Sequence, residues 1–242
     1  MITKQRILND YVYFKKLAER ELLNDNLMRS ISCIEIACKI AYQINFIFVD
    51  YELEGLIQKI SSKLLPKNAI ATELKKVVFY DCFASSNRGL TQQYLRALVK
   101  LDVEILFIAM VDPSNLDARI KKEFSKYKNV EIACISQNGM SLLEQINLLY
   151  AEIVKFSPSK AFFHMTPWDV VGNVVWNAFP EVERYQINLT DHAFWLGIKC
   201  SDYFLEFRNY GYNLSWQYRG IGKDKLLLLP FYPITESTPF QG

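Results

Sequence analysis

The chain has 242 residues, half of them apolar, and its 28 Lys and Arg against 26 Asp and Glu leave a formal charge of only +2. That length and apolar fraction suffice for one substantial core with a smaller appendage, and the near-balanced charge gives a nucleic-acid partner no electrostatic basis. The most suggestive apolar run, residues 31–49, is broken by Glu35, Lys39, Gln43 and Asn45, so no membrane-spanning helix is predicted.

From the N-terminus, Ile7, Tyr11, Phe14, Ala18 and Leu22 recur at spacings of three and four, which predicts one amphipathic helix. Residues 31–48 and 53–65 predict two more. Isolated helices of this length are marginal in water, so their apolar faces must pack on one another, on the rest of the chain or on a partner. Pro66, Lys67 and Asn68 then break the period, and residues 66–72 read as a linker. The expected division is a helical segment over 1–70 and a second unit over 71–242.

Past the linker, β-rich runs at 77–80, 103–109, 130–135, 161–165, 185–189, 203–207 and 226–229 alternate with helical ones at 90–101, 116–127, 142–156, 168–178 and 209–218. Strands alternating with such helices predict βαβ units, hence an α/β fold with a Rossmann-like, doubly wound parallel sheet covered on both faces. The start of the chain, with Lys4, Arg6 and Asp10, lacks the features of a signal peptide. Five cysteines, an odd number with no C-x-x-C pair, are expected as buried thiols in a cytoplasmic protein.

Ligands of parallel sheets gather beyond the carboxyl ends of the strands, which selects four loops. The first, Tyr-Asp-Cys-Phe-Ala-Ser-Ser-Asn-Arg-Gly over 80–89, offers Ser85, Ser86, Arg88 and Gly89 to an anion or a sugar; it is neither G-x-G-x-x-G nor a P-loop. In the second, His164-Met-Thr-Pro-Trp-Asp169, a helix start explains Thr166 as N-cap, Pro167 as first residue and Asp169 as third, leaving His164 and Trp168 as candidate contacts. The third, Asn-Leu-Thr-Asp-His-Ala-Phe-Trp-Leu-Gly over 188–197, sets Asp191 and His192 beside Phe194 and Trp195. A carboxylate and an imidazole can move a proton, and aromatic faces can stack on a sugar ring; the plainer alternative is that Phe194 and Trp195 plug the core. The fourth, over 206–213, could add Glu206 and Arg208 to the rim, but its glycine and asparagine read more simply as a helix entry.

With these loops in place, the region from Asp81 to Tyr232 resembles the N-terminal domain of a GT-B glycosyltransferase. The stretch from His192 through Ser201-Asp-Tyr203 to Lys225-Leu-Leu-Leu-Leu-Pro230 is most similar to the acceptor-side half of bacterial relatives of the O-linked N-acetylglucosaminyltransferases. The resemblance implies that His192 faces an interdomain cleft, that the 85–89 loop faces the same cleft, and that the Asp-Tyr strand and Leu-Pro junction are architectural. It further implies a nucleotide-sugar donor held mainly by a C-terminal Rossmann domain that the sequence does not contain, a glycan or protein acceptor, and negligible transfer by this chain alone. No two aspartates stand two residues apart, which fits a metal-independent enzyme without a D-x-D site. In that setting His192 or Asp191 is the expected base, and no cofactor is expected. The competing expectations are a non-catalytic sugar- or nucleotide-binding module, and an adaptor or oligomer assembled through the N-terminal helices.

Overall fold

In the computed structural model, residues 4–44, 46–66, 70–86, 89–137 and 139–232 are described. Three helices, α1 (Lys4–Leu23), α2 (Leu27–Tyr42) and α3 (Tyr51–Leu64), precede the sheet. The small residues Ala18 and Ser30 let α1 and α2 approach closely, and Ser30 Oγ donates across the interface to Ala18 O at 2.8 Å. Asp50 caps α3 by accepting from the amides of Glu52 and Leu53 at 2.9 and 3.0 Å, and also receives Tyr11 Oη and Lys15 Nζ from α1.

The remaining elements are β1 (Glu73–Asp81), α4 (Leu90–Leu98), β2 (Glu104–Ala109), α5 (Ala118–Phe124), β3 (Val130–Cys134), α6 (Leu142–Phe156), β4 (Pro158–His164), α7 (Val170–Trp176), β5 (Glu183–Asn188), β6 (Tyr203–Glu206), α8 (Asn209–Gln217) and β7 (Leu226–Leu228). All seven β-rich runs therefore form strands. The run expected as one helix over 116–127 forms the shorter α5, after a separate 3-10 turn at Pro113–Asn115, because Asp117 caps the start by accepting from Arg119 N at 2.8 Å. α6 begins in a capping box between Ser141 and Glu144, and it ends at Ser157 in the left-handed region (φ 56°), which turns the chain into β4 with Pro158 as first strand residue.

The seven strands form one parallel sheet in the order β3-β2-β1-β4-β5-β6-β7, confirming the doubly wound class. The chain builds outward from β1 to β3, returns to lay β4 against the other side of β1, and continues to β7, so the topological switch lies between β1 and β4. Alternation along β1 sends Val77 and Phe79 to the α4–α5 face, while Val78 and Tyr80 enter the larger cluster shared with α6, α7 and the N-terminal helices. Tyr11, Ala18 and Leu22 are buried in that larger cluster, and Ile7 and Phe14 pack against it. The α1 face considered for assembly is thus spent inside the chain, a correction to the adaptor expectation: the helices bury their stripes on one another and on the sheet layer.

Among the described residues no helix is long and apolar enough to cross a membrane. All five cysteines are free.

Candidate functional site

Because every strand is parallel, the loops after β1, β4 and β5 open on one edge of the sheet. At the switch point, Asp81 ends β1 and His164 ends β4 as direct register partners, both buried. Asp81 Oδ1 accepts from Phe83 N at 2.7 Å, and Oδ2 accepts from Thr91 Oγ1 of α4 at 2.6 Å. His164 Nδ1 stands 2.9 Å from Asp81 Oδ1, out of line for a good hydrogen bond, and among the described residues neither ring nitrogen has another partner. The Phe83 ring lies over the imidazole with 4.6 Å between centroids. His164 is therefore placed at the strand-tip edge but shielded from it. Ser85 and Ser86 are exposed in the same loop, and Gly89 (φ 75°) starts α4 in a conformation that favours glycine. Arg88 lies outside the described residues.

On the opposite face of the same strand tips, Asp169 caps α7: its Oδ1 accepts from Gly172 N at 2.9 Å, and its Oδ2 accepts from Tyr80 Oη at 2.8 Å and Cys82 Sγ at 3.2 Å. The cap is Asp169 and not Thr166 as expected, because residues 166–169 close a separate turn, Asp169 N to Thr166 O at 3.1 Å, before the helix begins. Burial raises the Asp169 carboxyl above its ordinary range and pushes the Cys82 thiol well up, which makes Cys82 a poor nucleophile. Trp168 is half-buried, edge-on to Tyr42 of α2 at 5.4 Å, and forms part of the wall of a cavity of about 230 Å³.

At the tips of β5 and β6, Asp191 is clamped by Arg208, with Nε to Oδ2 at 2.6 Å and Nη2 to Oδ1 at 2.9 Å. His192 beside it has 60% of its side chain exposed, and its Nδ1 lies 3.6 Å from Asp191 Oδ1. Phe194 and Trp195, proposed as sugar platforms, are instead buried at 0 and 2% exposure. The reason is the path of the loop. Glu54 of α3 accepts from the amides of Gly197, Ile198 and Lys199 at 2.8, 3.2 and 3.3 Å, and Leu196 N donates to Pro167 O at 3.0 Å, pulling residues 194–197 inward. Burial raises the Glu54 carboxyl, against the opposing pull of those three amides.

Beneath His192 lies a polar network of which sequence reasoning weighs only Glu206, as a rim residue, and prefers a helix entry there. Asn188 Nδ2 donates to both oxygens of Glu206 at 2.9 Å, and Ser215 Oγ donates to Glu206 Oε1 at 2.5 Å. Fully buried Arg219 donates from Nη2 to Asp191 O at 2.9 Å and Ala193 O at 2.8 Å, with Trp195 and Phe48 rings 5.0 and 5.4 Å from its guanidinium carbon. Tyr51 Oη of α3 donates to Arg219 O. Burial raises the Glu206 carboxyl and lowers Arg219 to about 10. Glu54 carried a one-dimensional signal as a carboxylate at the border of the Leu53, Leu56, Ile57 and Ile60 stripe, whereas Arg219 stands among ordinary helix-end residues.

The arrangement presents one exposed, carboxylate-flanked imidazole on the loop after β5. Among the described residues no group of three or more His, Cys, Asp or Glu side chains is arranged to hold a metal ion.

Sheet order and strand-tip loops define a Rossmann-like α/β protein. No protein-family model matches the chain, and no curated protein sequence does. Among solved structures 11 chains match. One is a mutant O-GlcNAc transferase from Thermobaculum terrenum, 7% identical, with a TM-score of 0.36 over 82% of this chain and 40% of that one. The chain thus spans about two fifths of that structure's length.

Proposed function

We propose that this chain is the acceptor-side part of a metal-independent GT-B glycosyltransferase, moving a sugar from a nucleotide-sugar to a hydroxyl of a glycan or protein. The observation that carries the reading is His192, the exposed imidazole on the carboxyl edge of the sheet, held next to a carboxylate that Arg208 keeps in place. In the proposed reaction His192 takes the proton of the acceptor hydroxyl. The acceptor oxygen bonds to the anomeric carbon as the bond from that carbon to the diphosphate oxygen breaks, and the diphosphate leaves with the electron pair. Asp191 stabilises the imidazolium that forms, and the Arg208 clamp stops its carboxylate from rotating away.

In this reading residues 71–242 are the acceptor-side domain and residues 1–70 a helical segment docked on it, with Glu54 and Tyr51 of α3 shaping the His192 loop. Ser85 and Ser86 belong to the rim, whereas Phe194 and Trp195 act by packing. The donor is held mainly by a second Rossmann domain. Supporting that partner, β7 is an edge strand that leaves Leu227 and Leu228, and Leu229 after it, at least 40% exposed, an apolar edge of the kind that proteins normally cover.

The chain has only two histidines, so the imidazole resonances of His192 and the buried His164 are separable by NMR. Oligosaccharides from a glycan array and a set of nucleotide-sugars are titrated in turn. A hit is expected to move the His192 ring signals and to lose affinity in His192→Ala. If no glycan or nucleotide-sugar perturbs His192, the reading is wrong.

A further inference from the structure

The cavity of about 230 Å³ at the switch point lies on the face of the sheet covered by α2, α6 and α7, apart from His192 at the tip of β5. It is lined by Cys82 from the end of β1, Thr166, Trp168 and Asp169 from the loop after β4, Gln145 from the first turns of α6, and Glu35 from α2. It therefore occupies the place where open parallel sheets bind ligands, and one wall comes from the N-terminal helices.

The lining specifies what fits. No Lys or Arg is among the lining residues, and Lys39 Nζ, 5.9 Å from the centroid of the Trp168 ring, is already paired with Glu35, so a phosphate or carboxylate finds no free counter-charge there. Glu35 is already neutralised, its Oε1 2.5 Å from Lys39 Nζ. Asp169 is 9% exposed and its oxygens accept from Tyr80, Cys82 and Gly172, while burial favours its protonated form. With both carboxylates answered from within the chain, an amine gains little either. What remains is a neutral space with an indole wall and the uncharged hydrogen-bonding side chains of Thr166 and Gln145. An indole covers the apolar face of a pyranose, and hydroxyl and amide groups bond its hydroxyls.

We propose that this cavity is a subsite for a neutral pyranose ring, with Trp168 as the stacking wall and Thr166 and Gln145 as hydroxyl partners. It deepens the glycosyltransferase reading and rests on it: the subsite holds one sugar unit of the acceptor, away from the reacting centre. α2 then serves recognition as well as packing, since Glu35 and the Tyr42 that backs Trp168 both belong to it.

The test is saturation-transfer NMR on the whole chain with free hexoses and N-acetylhexosamines, and with inorganic phosphate and ethanolamine as competitors. At least one neutral pyranose is expected to bind in the millimolar range. Thr166→Val and Gln145→Leu, checked for unchanged melting, are each expected to weaken it about tenfold. Displacement by phosphate or ethanolamine, binding that persists in both cavity variants, or no binding by any pyranose would overturn the subsite. None of these results bears on the His192 resonance shift, so the two readings fail separately.

Discussion

Replacing Arg219 by Met removes the most deeply placed cation of the strand-tip network while keeping an apolar stem of similar reach. Two buried carbonyls, Asp191 O and Ala193 O, lose their donor at 2.9 and 2.8 Å. Each orphaned acceptor costs about 1–3 kcal/mol. Ser215 Oγ, which bridges Nη1 at 3.2 Å to Glu206 at 2.5 Å, loses one side of its relay, so Glu206 is left without its cation. Uncompensated buried charge costs about 3–5 kcal/mol, but burial, which already raises the Glu206 carboxyl, would favour proton uptake once the cation is gone and recover part of that. These costs overlap, and a net loss of about 3–5 kcal/mol is expected, a fall in Tm of roughly 6–20 °C for a chain of this size. Urea unfolding at neutral pH measures it. Glu206→Gln keeps most of the contacts and is expected to cost about 1 kcal/mol. The double variant should lose at least about 1 kcal/mol less than the sum of the singles, because Gln carries no charge to strand. Additivity within about 0.5 kcal/mol, or an Arg219→Met variant as stable as the parent, would refute the claim that Arg219 and Glu206 act as one unit beneath His192.

His192→Ala, in a protein joined to its donor-binding domain, is expected to lower turnover by about 10²–10⁴-fold; as the side chain is largely exposed, Tm should stay within a few degrees. Gly211→Ala sets two effects against each other: alanine gains up to about 1 kcal/mol of helix propensity, but its Cβ would meet Glu206 Oε2 at 2.5 Å and Asp191 Cβ at 2.8 Å. A net loss of about 1–3 kcal/mol is expected by chemical denaturation, and a stabilised variant would contradict the packing of α8 on the network. Glu123 joins α5 to Arg96 of α4 at 2.6 and 2.9 Å, and this partner first, then Lys126 and Tyr127, holds its carboxyl at about 2 against an ordinary 4.5. Being lowered in the folded state, it contributes stability that is complete above pH 4.5 and lost as pH falls toward 2. Glu123→Gln should therefore cost on the order of 2 kcal/mol near neutrality, with partial screening because Arg96 is partly exposed, and the gap from the parent should close across that window in acid unfolding.

The seven strands were legible because period-two and continuously apolar runs between helical stretches reflect local backbone preference and burial on both faces of a sheet. The doubly wound class followed from their alternation with helices. The His192 loop was legible too, as polar and aromatic residues at a strand end. Which of those residues face outward was not. Phe194 and Trp195 turn into the core because Glu54, 143 residues earlier than Gly197, captures the backbone beyond them, and because Arg219 holds the carbonyls of Asp191 and Ala193 from the end of α8.

Local sequence thus determined where strands, helices and strand-tip loops occur, since each depends on side-chain period and on residues within a turn or two. Tertiary structure alone decided that β4 returns beside β1, that the N-terminal helices spend their apolar faces within the chain, and that one histidine is exposed while the other is sealed under Phe83. Those outcomes depend on hydrogen bonds and burial between residues far apart in the chain, whose energies no local pattern encodes.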